Sequence, residues 1–337
     1  MSGNITNSCI EALEPSDRFL VSAVVYGLVL AVGLPLNAVS LWILLRGHGL
    51  RSPCAVLMVN LAASDLLLAL SLPLRVYFYA TLQWPFGVGT CTAAIMLFRV
   101  NIRTSSIFIT LISVDRLVAL VFPLRSRSLR TTACACKCCA VVWILITILC
   151  IPEIIDLHIS LKECTHNTPC FENQTPPSFS SQILGYAQAI FILILLVVNI
   201  VSTVVVIVTL RKRPSTGAAK VNNRMNVILI FVVNMLVFMI FFLPFIILIL
   251  LKNKDHRDVL RALICLASVN CCLDPLIYYF SLDSFRQDKG KRQTDMGTAS
   301  PKEHLEEALA FSIERAHVRV VAASFATKTV NLSHPGR

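Results

Sequence analysis

Charge is scarce in this sequence. Only 15% of its 337 residues are charged, while 56% are hydrophobic; a soluble domain carries roughly a quarter charged residues. That scarcity excludes a soluble globular fold and makes the chain a membrane protein. The start, MSGNITNSCIEALEPS, lacks a basic stretch followed by an apolar one. No cleavable signal peptide is therefore expected, and the first apolar run must itself direct insertion. Inverted repeats are not visible either, which argues against a transporter or channel. Nothing forms a hydrolase or kinase site, since His48, His158, His166 and His256 are scattered in loops or at span ends.

What is present is a set of seven long apolar runs, at roughly 19–45, 54–81, 91–121, 139–158, 183–210, 225–251 and 259–281. Each reaches or exceeds the ~20 residues that cross a ~30 Å hydrocarbon core at 1.5 Å rise. Backbone groups in lipid must pair within their own segment, so each run is expected to be a helix. The fold class is therefore all-α, a seven-transmembrane helix bundle over 19–281, with an outer N-terminal segment 1–18 and an inner helix and tail 282–337. A net charge of +11 could suggest nucleic acid, but the basic residues concentrate after the first, third and fifth runs. They are Arg46 and Arg51; Arg125, Arg127, Arg130 and Lys137; and Arg211, Lys212, Arg213, Lys220 and Arg224. By the positive-inside rule the N-terminus is extracellular and the C-terminus cytoplasmic, and no nucleic-acid partner is expected. The sequons at Asn4 and Asn173 then fall outside as glycosylation sites, whereas Asn331 falls inside.

Thirteen cysteines divide by compartment. Cys9, Cys91, Cys164 and Cys170 lie outside or at the outer edge, where an oxidising milieu permits two disulfides in three connectivities. We favour Cys91–Cys170, which would tie the loop between spans four and five to the top of span three, with Cys9–Cys164 second. The cluster CACKCC (Cys134, Cys136, Cys138, Cys139) lacks a histidine or second cysteine pair for zinc and reads as helix packing, with reversible palmitoylation as the alternative.

An ionisable residue at a helix centre costs roughly 2.5–3.5 kcal/mol, so each one needs a reason. Asp65 stands mid-span in NLAASDLLL. Asn101 and Ser105 in span three, and Asn270 and Asp274 in span seven, are i, i+4 pairs that each share a helix face. Together these five offer an oxygen-rich pocket for a hard monovalent cation, a sodium ion; a hydrogen-bonded polar core without an ion is the alternative. In the outer half, Arg75, Arg99, Arg103, Arg257 and Arg261 form a candidate site for an anionic headgroup, because guanidinium grips phosphate or carboxylate bidentately. Snorkelling, or pairing with Glu153 and Asp156, is the alternative reading.

The segments GLPLNAVSLW, NLAASDLLL, Cys91, SVDRLVALVFPLR, Trp143, FFLP and DPLIY occur in the order and spacing of rhodopsin-like (class A) G-protein-coupled receptors, which the chain resembles over 20–286. The resemblance implies a multi-pass plasma-membrane receptor, not an enzyme, that needs no cofactor beyond an allosteric sodium ion. It implies heterotrimeric G proteins as partners, with arrestin a further one. It also implies roles. Asp115 and Arg116 would form the cytoplasmic lock, and Asn37, Asp65, Asn270, Asp274, Pro275 and Tyr278 the inner polar network. Phe238, Phe242 and Pro244 would form the hinge of span six. Departures are Leu117 where an aromatic is usual, Phe242 where tryptophan is usual, no proline between Ser180 and Arg213, and no cysteine after Arg286.

Finer features, LPLRVYFY, WPFG, CFEN, FPLRSRSLR and VNCCLDPLIYYFSLDSFR, resemble the purinergic-like cluster that includes lysophosphatidic acid receptors. In it, arginines matching Arg75 and Arg257 take the phosphate. Beyond Pro244 the stretch FIILIL is entirely apolar, where nucleotide receptors carry basic residues. An anionic lipid mediator, of the lysophosphatidic acid kind, is thus the expected ligand; a nucleotide, peptide or small carboxylate is the alternative. Span three offers Arg99 and no aspartate for an amine, and span seven has no lysine for retinal.

Overall fold

The computed structural model describes residues 16–48, 52–122, 130–163, 170–172, 178–212, 218–251 and 258–275, and among them it is helical throughout, without a strand. Seven helices succeed one another. They are α1 (Asp17–Ile43), α2 (Pro53–Thr81), α3 (Gly87–Val121), α4 (Thr132–Glu163) and α5 (Phe179–Lys212). Next comes α6, built of Ala218–Val237, Phe238–Phe242 and Leu243–Leu251, and last α7 at 258–275. Each of the seven apolar runs thus contains one helix, and six of these helices are long and apolar enough to cross a membrane among the described residues.

Local chemistry sets several ends. Ser52 caps α2, its hydroxyl accepting from the Ala55 amide at 3.2 Å, and Pro53 occupies the first turn, where its missing N–H costs nothing. At the other end Leu82 adopts a left-handed conformation with φ 55°, which stops the helix. In α6, the Leu243 amide reaches back to the Phe238 carbonyl, opening one wide turn just before Pro244. Proline removes a donor from the ladder, and a wide turn of this kind accommodates the defect.

Large side chains such as Leu20, Trp42, Leu70, Ile148 and Val197 are exposed, as a lipid-facing surface requires, while the centre holds Tyr26, Leu61, Leu68, Phe108 and Phe242. Helices cannot rely on the hydrophobic effect to associate in lipid, so close approach and interhelical hydrogen bonds matter more. Gly33 of α1 gives such an approach: a Cβ there would meet Cys271 Sγ of α7 at 3.0 Å. Interhelical bonds run from Trp143 Nε1 to Asn60 Oδ1 (2.9 Å), Asn199 Nδ2 to Thr110 Oγ1 (2.8 Å) and Asn234 Nδ2 to Ser113 Oγ (3.0 Å).

Candidate functional site: a caged arginine, a buried carboxyl layer and an ion pair

Cys91 at the start of α3 is bonded to Cys170, with Cα atoms 5.6 Å apart. The bond pins the 170–172 segment across the bundle and so positions Phe171 and Glu172, which no helix carries. Phe171 lies over Arg75 at 4.5 Å from ring centroid to guanidinium carbon. Tyr26 of α1 (5.5 Å) and Phe98 of α3 (4.8 Å) complete an aromatic cage. Arg75 is buried and its Nε has no hydrogen-bond acceptor. Among the described residues no carboxylate forms an ion pair with it, and ring faces stabilise its charge.

The other described candidate arginines of this end have carboxylate partners. Arg261 donates from Nε and Nη2 to both Glu172 oxygens (2.7 and 3.1 Å) and from Nη1 to Asp258 (2.9 Å), and its guanidinium lies 4.4 Å from the Phe19 ring. Tyr79 also donates to Glu172 at 3.2 Å. Deeper, Arg103 is paired with Glu153 and donates to Gln188 Oε1 at 2.7 Å. Arg99 reaches the same Glu153 at 3.5 Å from a half-exposed position. The four described candidate arginines therefore do not converge: Arg75 and Arg261 approach the 170–172 segment, and Arg99 and Arg103 share Glu153. Arg257 lies outside the described residues, as do Cys9, Cys164, Asn4, Asn173 and Tyr278.

Beneath the cage lies a buried carboxyl layer. Asn101 Nδ2 donates to Asp65 Oδ1 (2.9 Å) and also reaches Ser105 Oγ and Ser64 Oγ (3.2 Å each). Asn270 Nδ2 donates to Asp274 Oδ2 at 3.1 Å. Asp65 and Asp274 face each other within hydrogen-bonding reach. Four oxygens here are buried without a donor: Asp65 Oδ2, Asp274 Oδ1, Asn270 Oδ1 and Asn37 Oδ1. Asn37 itself is held by its amide, which donates to the Gly33 and Cys271 carbonyls (3.0 and 2.7 Å). Pro275 is buried beside this layer.

At the opposite end of the bundle from the disulfide, Asp115 near the foot of α3 accepts two bonds from Arg130, Nε to Oδ1 and Nη2 to Oδ2, both 2.7 Å. The expected partner of Asp115 was the adjacent Arg116. Side chains at neighbouring helical positions point apart, whereas an arginine arriving from the next connection meets the carboxylate head-on. The bidentate carboxylate pushes Arg130 still higher than an arginine's usual range. Phe238 and Phe242 pack with ring centroids 5.2 Å apart at the wide turn of α6.

Sequence reasoning left Glu172, Phe171, Tyr26, Phe98 and Gln188 without roles. The only signal for the first two was their position directly after Cys170. Tyr26 and Phe98 sit in apolar runs where an aromatic reads as core.

A seven-helix membrane bundle with a caged cation at its disulfide-bearing end and a buried carboxyl layer below is the architecture of a seven-helix receptor. The chain belongs to the family described as 7 transmembrane receptor (rhodopsin family), whose model matches residues 36–278. It is thus a class A G-protein-coupled receptor of the purinergic-like cluster, a multi-pass plasma-membrane protein and not an enzyme. It is 35% identical to lysophosphatidic acid receptor 5 of Mus musculus over 309 residues, 85% of this chain and 82% of that one. With lysophosphatidic acid receptor 4 of Homo sapiens it shares 33% identity over 303 residues, 85% and 80% of the two chains. The S-geranylgeranyl-glutathione receptor of Homo sapiens is 31% identical over 292 residues, 83% of this chain and 81% of that one.

Proposed function

We propose that this receptor is switched by an anionic single-chain lipid, a lysophospholipid such as lysophosphatidic acid, and passes the signal to heterotrimeric G proteins. The observation that carries this reading is Arg75: a buried guanidinium set among the rings of Tyr26, Phe98 and Phe171, with Nε unbonded and no carboxylate paired to it among the described residues. Burying a charge without a counter-ion is costly, and a ligand phosphate that pairs with it recovers much of that cost. The rings exclude water, which strengthens the attraction. Arg261 already has Glu172 and Asp258, so it contributes to an incoming headgroup only if Glu172 gives way. The outer turns of α6, Leu243–Leu251, carry the sequence LPFIILILL, an apolar stretch suited to an acyl chain and poorly suited to a nucleotide. Relatives whose names specify lysophosphatidic acid support the same class. The name S-geranylgeranyl-glutathione also describes an acid joined to one long apolar chain, so that conjugate is the competing ligand.

The signal travels through the layer below. Asp65 and Asp274 face one another, each with one oxygen lacking a donor, an arrangement that a proton or a hard monovalent cation satisfies. Residues Asp65, Asn101, Ser105, Asn270 and Asp274, with Asn37 Oδ1 at hand, would hold sodium, whose charge offsets that of one of the two facing carboxylates. Breaking the Asp115–Arg130 pair and opening α6 at its wide turn would expose the inner face to a G protein.

G-protein activation in cells expressing the full chain tests the ligand class, using lysophosphatidic acid, S-geranylgeranyl-glutathione and a nucleoside diphosphate as separate arms. Lysophosphatidic acid should activate the wild type, and Arg75→Ala should need about 10–100 times more at unchanged surface expression, as expected for losing a charged hydrogen bond of about 1.5–3 kcal/mol. Activation by the nucleotide alone would overturn the reading.

A further inference from the structure

Four cysteines crowd the first turns of α4, and the receptor reading assigns them nothing. Cys134 and Cys136 are exposed, Cys138 is half-buried and Cys139 is buried. Among the described residues no three metal-ligating side chains converge, so the cluster is not a metal centre. Its orientation is more informative. Seven-residue steps along the helix place Cys134 on one line with Val141, Ile148 and Ile155, all exposed apolar side chains. Cys136, two positions on, is turned to another side of the helix, on the line of Trp143 and Cys150, yet at this end of α4 it is itself exposed. Cys134 therefore lies on the surface that α4 turns to lipid, and Cys136 is exposed one half-turn on at the same end of the helix. Their depth follows from the same helix. Leu161, at its far end, packs against the Cys91–Cys170 bond, and Cys134 to Leu161 spans about 40 Å of helix, close to the full thickness of a bilayer with its headgroups. A disulfide marks the oxidising side. Cys134 and Cys136 consequently sit at the reducing, cytosolic boundary, with Arg130 and Lys137 beside them for anionic headgroups.

We propose that Cys134 and Cys136 are S-acylation sites that anchor the cytosolic end of α4 in the inner leaflet. The cysteine thiolate attacks the carbonyl carbon of a long-chain acyl-CoA, delivered by a membrane acyltransferase. A carbon–sulfur bond to the protein forms as the thioester bond to coenzyme A breaks, and the departing thiolate takes up the proton that cysteine released. No oxidant or reductant takes part. Juxtamembrane cysteines are the usual acceptors of this reversible chemistry. Cys54 provides an internal contrast, because it stands in the first turn of α2 yet is fully buried.

The experiment expresses the full chain in cells fed an alkyne-tagged palmitate analogue. Label should appear on the wild type, be released by neutral hydroxylamine, and map to the peptide carrying Cys134 and Cys136 after proteolysis. It should persist in Cys54→Ser and disappear in the Cys134→Ser, Cys136→Ser double variant. Absence of hydroxylamine-sensitive label from surface-expressed wild type, or label mapping elsewhere, overturns the proposal. Because mapping uses the wild type, a double variant that fails to reach the surface does not rescue it.

Discussion

Arg75 and Arg261 are both buried guanidinium groups against aromatic rings, yet they stand in different electrostatic states. Arg261 has two carboxylates; Arg75 has three ring faces. The planar guanidinium suits such a cage because it stacks and still presents its edge. An ammonium does neither well, so Arg75→Lys should not rescue Arg75→Ala: agonist potency should stay reduced by about tenfold, roughly 1.4 kcal/mol, in a dose–response assay. Full recovery by lysine would mean that charge alone matters there. Glu172 invites the opposite experiment. It occupies the two donors of Arg261 that a headgroup would use, so Glu172→Gln should weaken the internal competitor while keeping a hydrogen-bonding side chain of the same shape. The expected outcome is a shift of the agonist curve to lower concentration at unchanged maximum response, measured as G-protein activation. A shift to higher concentration would show that Glu172 supports the site instead of competing for it.

At the scale of elements, the ion pair below the bundle joins α3 to the approach to α4. Asp115 and Arg130 join the foot of α3 to the residue two positions before α4, with the arginine side chain about a quarter exposed at 24% and the carboxylate at 10%. A bidentate pair of this kind contributes of the order of 1–3 kcal/mol. Asp115→Asn and Arg130→Ala should therefore each raise ligand-independent G-protein activation several-fold, and the double variant should add little to either single one, since both remove the same interaction. Additive effects would place their actions elsewhere. The helices carrying these residues were legible in the sequence because lipid imposes a length and a composition on each span. Asp65, Asn101 and Asp274 were legible too, since buried polar groups stand out against apolar runs. Partnerships were not: Glu172 and Arg261 are 89 residues apart, Arg103 and Glu153 are 50 apart, and no periodicity relates them. The exchange of Arg116 for Arg130 beside Asp115 has the same origin, because adjacency in sequence says little about adjacency around a helix.

For the whole molecule the question is how the caged arginine at one end informs the ion pair at the other, and under the function proposed above the carboxyl layer between them would supply the physical link. Asp65 belongs to α2, the helix that also carries Arg75, while Asp274 belongs to α7, the helix that also carries Arg261. A cation shared by the two carboxylates ties α2 to α7 and favours whichever arrangement holds them closest. A headgroup that draws on Arg75 and Arg261 acts on the same two helices from their other ends. Two ligands that bias one equilibrium must influence each other equally, so if sodium favours the arrangement with Asp115 paired to Arg130, it lowers agonist affinity and agonist lowers sodium affinity by the same factor. Replacing N-methylglucamine by sodium at constant ionic strength should thus weaken agonist binding to membranes bearing the wild type, by a factor of about 5–150, the usual span of such couplings. Asp65→Asn should abolish the sodium dependence, because the amide keeps the hydrogen-bonding shape and loses the charge that binds the ion. Sodium dependence that survives in Asp65→Asn would separate the carboxyl layer from the signal and leave the two ends of the bundle to communicate through helix packing alone.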